Sequence, residues 1–346
     1  MPACARKEIV RQGQPGIFHV SSRVVRRAFL LGRDPLTSHD YNHRRQWVLQ
    51  RLQLLVANFA IDVCFLAVLA NHLHLVLCTT PRLVQRWGSW EVARRWLRLY
   101  PGRRLLDGSC VEPTEEEVRA LAADKEKIKK LRKRLSNISW FMAALCEHIA
   151  RRANAEDGCS GRFWQGRFSC REITQENALL VAGMYVDLNP IRAGEVWTPE
   201  EASYTSAGLR IRGLAGAEGG SGGELAADGW LAPLTLEAGQ VGEVPCRSGV
   251  RASDKGLLPM TLEEYLRLLD WTGRQVRQDK GGTIPAELAP ILERLGVVPE
   301  EFVETVKTFS RRFPRLAGPV AQLAARAKEL GRRWLHGVRH AARVFR

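Results

Sequence analysis

Apolar residues along this chain change their spacing several times, and each change predicts an element. Gly16 to Arg23 alternates, with Phe18, Val20 and Ser22 on one face, and it follows the turn pair Pro15-Gly16; this predicts a first strand. From about Ser38 to Ala60 the step becomes three or four residues, through Val48, Leu52, Leu55 and Phe59, which predicts a helix. Ile61 to Leu69 and His72 to Leu77 are apolar runs separated by Ala70-Asn71, close enough to pair as a hairpin. The order to this point is strand, helix, strand, strand.

Residues from about 84 to 135 break that rhythm. A Trp-rich basic helix, with Trp87, Trp90 and Trp96 among Arg86, Arg94, Arg95 and Arg98, ends at Pro101-Gly102, and a strongly charged helix follows. The second opens on Thr114 with Glu117 three residues later, a capping-box pattern, and runs through Lys125, Lys127, Lys129, Lys130 and Arg132. Such a run is a solvated helix face or a contact for DNA. Ser139 to Ala153 predicts a further helix on Phe141, Leu145 and Ile149, followed by the turn-rich stretch Asn154 to Gly161. Arg167 to Ile173 predicts a short strand, and Thr174 is placed to N-cap a helix reaching about Leu188. Beyond Tyr204 the composition shifts to Gly, Ala, Ser and Glu around Gly219 to Gly223, and it stays low in large apolar residues until about Leu258. That composition predicts a flexible linker. The expected organisation is therefore 1–206 as the domain carrying the chemistry, with an insertion at about 84–135, then a linker at 207–258 and a helical basic region at 259–346.

Length and charge narrow the function. At 346 residues the chain exceeds one average domain, so a main domain with an appendage is expected. The balance of 52 Lys+Arg against 37 Asp+Glu, a formal charge of +15, favours a polyanionic partner without separating DNA from RNA. Eight cysteines form no Cys-x-x-Cys pair, which argues against a zinc knuckle or a disulfide framework and fits a reducing cytoplasm. No apolar run has the length of a signal core or a membrane span, so a cytoplasmic protein with no membrane partner is expected.

The candidate chemistry begins at His72-Leu73-His74. Side chains alternate along a strand, so His72 and His74 point one way while Leu73, Leu75 and Leu77 point the other. Two imidazoles on a rigid support can hold one divalent ion, although chance histidines at this spacing are common. A second group lies on the helix after Thr174. Tyr185 and Asn189 are four residues apart and share a helix face, and Pro190 places Asn189 at the helix end with its amide free to turn outward.

In this order, the His72-Leu73-His74 strand, the segment Gly161-Arg162-Phe163-Trp164-Gln165-Gly166-Arg167-Phe168, and the helix end running from Tyr185 through Asn189-Pro190 to Arg192-Ala193-Gly194 carry a resemblance. They resemble the REP-associated tyrosine transposases, single-tyrosine enzymes of the His-hydrophobic-His endonuclease superfamily. The match spans about Gly16 to Ser206, with the charged insert less typical of the family. The resemblance implies an α+β fold, a ferredoxin-like antiparallel sheet with helices on one side, in agreement with the strand-helix-strand-strand start. It implies Tyr185 as nucleophile, His72 and His74 as metal ligands, and Asn189 where relatives carry a third polar ligand. It also implies a 5′-phosphotyrosine link to DNA.

A phenol with a pKa of about 10 is a weak nucleophile at neutral pH, so it needs deprotonation or a strongly polarised phosphate. An ion on His72 and His74 would supply that polarisation, and neutral ligands with open water positions suit Mg²⁺ or Mn²⁺. Trp164 and Phe168 are either core or a stacking platform beside Arg162, Gln165 and Arg167 for an unpaired base. Arg192 can clamp a phosphate or neutralise a helix end. The expected function is a metal-dependent endonuclease and strand transferase on single-stranded DNA at hairpin-forming repeats, acting as a monomer or homodimer on no small-molecule substrate. The competing expectations are a hairpin DNA or RNA binder without turnover and a relaxase-like nicking enzyme.

Overall fold

A computed structural model describes residues 8–102, 111–218, 227–238, 240, 242, 244–277, 285 and 288–346. The fold is mixed α and β, and its centre is a sheet of five strands in the order β2-β3-β1-β4-β5. These are β1 (Gly16–Arg23), β2 (Ile61–Val68), β3 (His72–Thr79), β4 (Ser169–Ile173) and the short β5 (Leu316–Ala317). β1 pairs antiparallel with β3 and β4, β2 pairs antiparallel with β3, and β5 joins β4 in parallel. Strand order and directions for the first four match the expected ferredoxin-like arrangement.

Helices cover both faces of this sheet, where the family resemblance implied one. Every residue of β2 is buried, and so are Leu73, Leu75 and Leu77 together with His74 and Val76 of β3. A strand buried on both sides reads as a continuous apolar run rather than an alternation, which is the pattern of Ile61 to Leu69. One face carries Phe18, Val20, Leu73, Leu75 and Leu77 and packs on α1 (His43–Asn58) and α6 (Ile138–Glu156) through Val48, Leu52, Leu55, Phe141, Leu145 and Ile149. The opposite face carries Phe65, Val76 and Ile173. It packs on α7 (Glu176–Asp187), α10 (Leu262–Arg277) and α12 (Pro299–Arg312). The insertion forms α2 (Pro81–Arg86), α3 (Ser89–Leu99), α4 (Glu115–Ala123) and α5 (Lys125–Leu135) on the first side, with the capping box of Thr114 and Glu117 formed.

Two helix starts differ from the sequence expectation for local reasons. α1 begins at His43, not Ser38, because the Asp34 and Asp40 carboxylates accept the Leu36 and Asn42 amides at 3.0 and 2.8 Å, and these turns compete with helix. α7 begins at Glu176, since Thr174 is engaged in the sheet, its amide and hydroxyl both donating to the Ala317 carbonyl at 3.0 and 3.2 Å.

The described part of 207–258 is not a free linker. β2 is an edge strand, and this segment occupies its open groups. The Leu66 amide donates to Ser206 Oγ at 3.1 Å, the Val68 amide to the Tyr204 carbonyl, and the Ala232 amide to the Val63 carbonyl. α9 (Ser206–Glu218) contributes Arg210, buried and donating to the carbonyls of Cys64 and Ala232. Asp62 accepts from the amides of Ala252 and Ser253 at 2.9 and 3.1 Å, and Trp230 and Leu231 are buried. Composition misled here because polar contacts and backbone, rather than many large apolar side chains, attach the segment. Gly219 to Gly223 lie outside the described residues. The 259–346 region belongs to the same core, with β5 on the sheet and Phe302, Val306 and Phe309 of α12 beneath it.

α7 approaches β2 closely at Gly183, where a Cβ would lie 2.7 Å from the Phe65 ring. Gly183→Val is expected to destabilise the protein by about 1–3 kcal/mol through overpacking, and combining it with Phe65→Leu should recover part of the loss in urea denaturation. Burial pushes the Asp62 carboxyl up to about 7, only partly opposed by the two amides it accepts. The folded protein therefore keeps this proton where the unfolded chain, at its ordinary 3.8, has released it. The stability contributed by protonated Asp62 is full below about pH 4 and is lost as pH rises through 7. Asp62→Asn, which keeps the acceptor, should flatten the unfolding free energy over that window.

Candidate active site

The residues of interest gather on the sheet face that packs against α7 and α12. Directly opposed residues share a face, and the register sets His19 of β1 beside Val76 of β3 and Arg171 of β4, with Ser21 opposite His74. His72 and His74 lie on this same face, with ring centroids 5.0 Å apart and planes nearly perpendicular. Tyr185, on the α7 surface that meets the sheet, sets its ring edge-on to both His74 at 5.5 Å and His19 at 5.6 Å. A phenol from one element and imidazoles from two others therefore converge. Phe309 of α12 covers them, 5.6 Å from Tyr185 and 6.0 Å from His19, and Tyr185 is 7% exposed.

The imidazoles are tied. His19 Nε2 and His74 Nδ1 lie 2.9 Å apart in a hydrogen bond, with the rings stacked at 5.0 Å. His72 Nδ1 lies 2.6 Å from Asn71 Oδ1, an acceptor, so this nitrogen carries the proton and Nε2 is left with a free lone pair. Burial pushes His19 and His74 well below the ordinary imidazole range, and neighbouring charge on Arg171 adds to the shift; burial lowers His72 to about 4. All three are neutral at pH 7, the form in which imidazole binds metal.

These residues fit a divalent ion by donor chemistry. Holding one requires His74 to donate from Nδ1 to His19, which leaves His74 Nε2 with a free lone pair, on a ring whose centre is 5.0 Å from that of His72. A metal-bound histidine commonly donates its other ring N–H to a fixed partner, and here that partner is a third histidine. Asn189 is buried; its Nδ2, a hydrogen-bond donor that does not ligate a cation, has no partner, and only its Oδ1 could bind an ion. It does not sit at a free helix end with its amide turned outward. α7 stops at Asp187, and a short helix α8 (Asn189–Arg192) restarts at once, so Asn189 is enclosed. Among the described residues no cluster of three or more His, Cys, Asp or Glu is arranged to hold a metal.

Asp187 fixes this helix end. Its buried carboxylate accepts from Ser206 Oγ at 2.5 Å, the Ala207 amide at 3.0 Å and Tyr265 Oη at 2.6 Å, joining α7 to α9 and α10 two residues from Tyr185. Arg192 is exposed and sets its guanidinium 5.0 Å from the Tyr185 ring centre. Arg162, Gln165 and Arg167 are exposed on the loop before β4, where the Gln165 amide donates to the carbonyl of Arg23, the residue paired with His72, while Trp164 is core, its indole N–H donating to the Cys146 carbonyl at 2.8 Å. No face of Trp164 is open to a base.

Sequence reading missed His19, Arg171 and Phe309. His19 alternates correctly within the first predicted strand, so its face was legible once the β1–β3 register was known. Phe309 carried no local signal.

No family model matches the chain, and no curated protein matches it. A solved structure described as a REP-associated tyrosine transposase bound to a REP hairpin is similar over 60% of this chain and 84% of that chain, at 13% identity and a TM-score of 0.31. A likeness at that level carries no weight for function.

His19→Leu removes the partner of a buried ring nitrogen and should cost about 1–3 kcal/mol. Tyr185→Phe deletes a single hydroxyl at a ring held by its packing, and should change stability by less than about 0.5 kcal/mol in the same urea titration.

Proposed function

We propose that this chain is a metal-dependent endonuclease and strand transferase for single-stranded DNA at hairpin-forming repeats, with Tyr185 as nucleophile. The observation that carries the reading is the meeting of the Tyr185 ring with His74 and His19 beneath a neutral His72–His74 pair. A buried tyrosine packs more often against apolar side chains than against a cluster of neutral imidazoles.

In this reading the phenolic oxygen forms a bond to phosphorus as the P–O3′ bond breaks. The phenol gives up a proton and the released 3′-hydroxyl takes one. The product is a 5′-phosphotyrosine that a 3′-hydroxyl can later attack, restoring the DNA bond without an external energy source. His72 and His74, with the Asn189 amide, would hold the Mg²⁺ or Mn²⁺ whose role is to polarise the scissile phosphate. His19 is a positioning residue: it fixes the tautomer and ring plane of His74. Arg192 would steady the phosphate from the exposed side.

A second reading, a hairpin DNA or RNA binder without turnover, is favoured by one observation: Phe309 covers Tyr185. The two readings separate in one experiment. The full chain is incubated with a labelled single-stranded hairpin oligonucleotide and Mn²⁺, and adducts are counted on a denaturing gel. Wild type is expected to form a covalent adduct that chelator abolishes and high salt suppresses, His74→Ala to lose about a hundredfold in rate, and Tyr185→Phe to form none. An adduct that survives Tyr185→Phe would reject the nucleophile, and hairpin binding with no adduct under any metal would establish the binder.

A further inference from the structure

Arg171 is a charge without a counter-charge. It sits on β4 directly across from His19, on the face that holds Tyr185, and is 7% exposed. Its Nε and Nη1 have no hydrogen-bond partner, and it forms no ion pair among the described residues. Its neighbours include the Phe309 ring, 5.8 Å from the guanidinium carbon, and the Tyr185 phenol and two imidazoles with which it interacts electrostatically.

Other buried arginines are bonded. Arg44 is just as buried and bonds to the carboxylates of Glu156 and Asp157, while Arg210 donates to two carbonyls and Arg326 to Glu329 and a carbonyl. Among the described residues these other buried guanidiniums each make hydrogen bonds, although Arg210 Nη1 also lacks a partner. Leaving a charge buried and unpaired is costly, and the lower intrinsic pKa of a buried lysine or a plain apolar residue would avoid the cost. A methionine or leucine at position 171 would fill the space among Phe309, Ile173 and Tyr185 without it.

We propose that Arg171 is the anchor of an oxyanion site whose ligand is a phosphoryl group. A guanidinium keeps its charge when desolvated and presents several fixed N–H donors, which suits the oxygens of a tetrahedral phosphoryl group better than a single-point anion. The site is built on the rigid sheet, beside a phenol, and is roofed by one aromatic ring, so an anion enters when the Phe309 side chain turns aside. This rests on the proposed chemistry for the choice of a phosphodiester over free phosphate. It does not rest on it for the anion site itself. Within that chemistry Arg171 touches the phosphate that Tyr185 attacks, from the buried side, opposite Arg192.

Such a group trades stability for function, and that gives a test a structural role would fail. Arg171→Met and Arg171→Gln are compared with wild type by thermal unfolding, with and without millimolar inorganic phosphate or tungstate, and with a short single-stranded oligonucleotide. Arg171→Met is expected to unfold about 3 °C or more above wild type and to lose adduct formation, with Arg171→Gln losing adduct formation as well. Phosphate or tungstate should raise the wild-type midpoint and leave both variants unmoved. Stabilisation by the oligonucleotide but not by free phosphate also supports the site and identifies a nucleic-acid strand as the source. The proposal is overturned if Arg171→Met lowers the midpoint, if the anions shift all three proteins equally, or if no ligand shifts wild type. A wild type that forms no adduct but gains stability from phosphate only through Arg171 would sink the nuclease reading and leave the anion site standing.

Discussion

The structure depends on burying one sheet from both sides. β2, β3 and β1 carry apolar residues on each face, so neither face can be left to water, and two separate helical layers are required. The first layer, α1 and α6, closes the face of Leu73, Leu75 and Leu77. The second, α7 with α10 and α12, closes the face that also carries His19, His74 and Arg171. Because that second face is interior, every polar group on it has to find a partner or remain unpaired at a cost.

The character of the site follows from that constraint. His19 and His74 share one hydrogen bond, with His19 Nδ1 left without a partner, and burial keeps both neutral. The same desolvation that stabilises the neutral form leaves the imidazoles poor charge partners for Arg171, and neutral is the state that the proposed metal site would need. Arg171 is the charged group that the packing of this face leaves with unpartnered nitrogens. Its charge, the tyrosine and the histidines occupy a few neighbouring positions of three strands and one helix, and the helix reaches them because Gly183 lets α7 lie against Phe65.

The segments outside the first four strands are held by the sheet's edges. β2 would offer a row of free amides and carbonyls; Ser206, Tyr204, Arg210 and Ala232 take them. β4 would offer the other edge, and β5 pairs with it while α12 brings Phe309 over the tyrosine. A chain region poor in large apolar residues and another rich in basic ones thus become parts of one core, through backbone pairing that composition does not record.

Local sterics wrote much of this into the sequence. The strand-helix-strand-strand order, the hairpin at Ala70-Asn71, the Thr114 capping box, the common face of His72 and His74, and the placing of Tyr185 on a helix are all set by spacing within a few residues, and all were legible there. What spacing cannot encode is who stands opposite. The pairing of β1 with β3 and β4 decided that His19 bonds His74 and that Arg171 joins them, and the return of a helix more than a hundred residues later decided that Phe309 covers them. Trp164 was resolved as core, and the described part of 207–258 as an edge cover, for the same reason. Side-chain period is a short-range property of the backbone, whereas register and burial are fixed only when distant segments compete for the same surface.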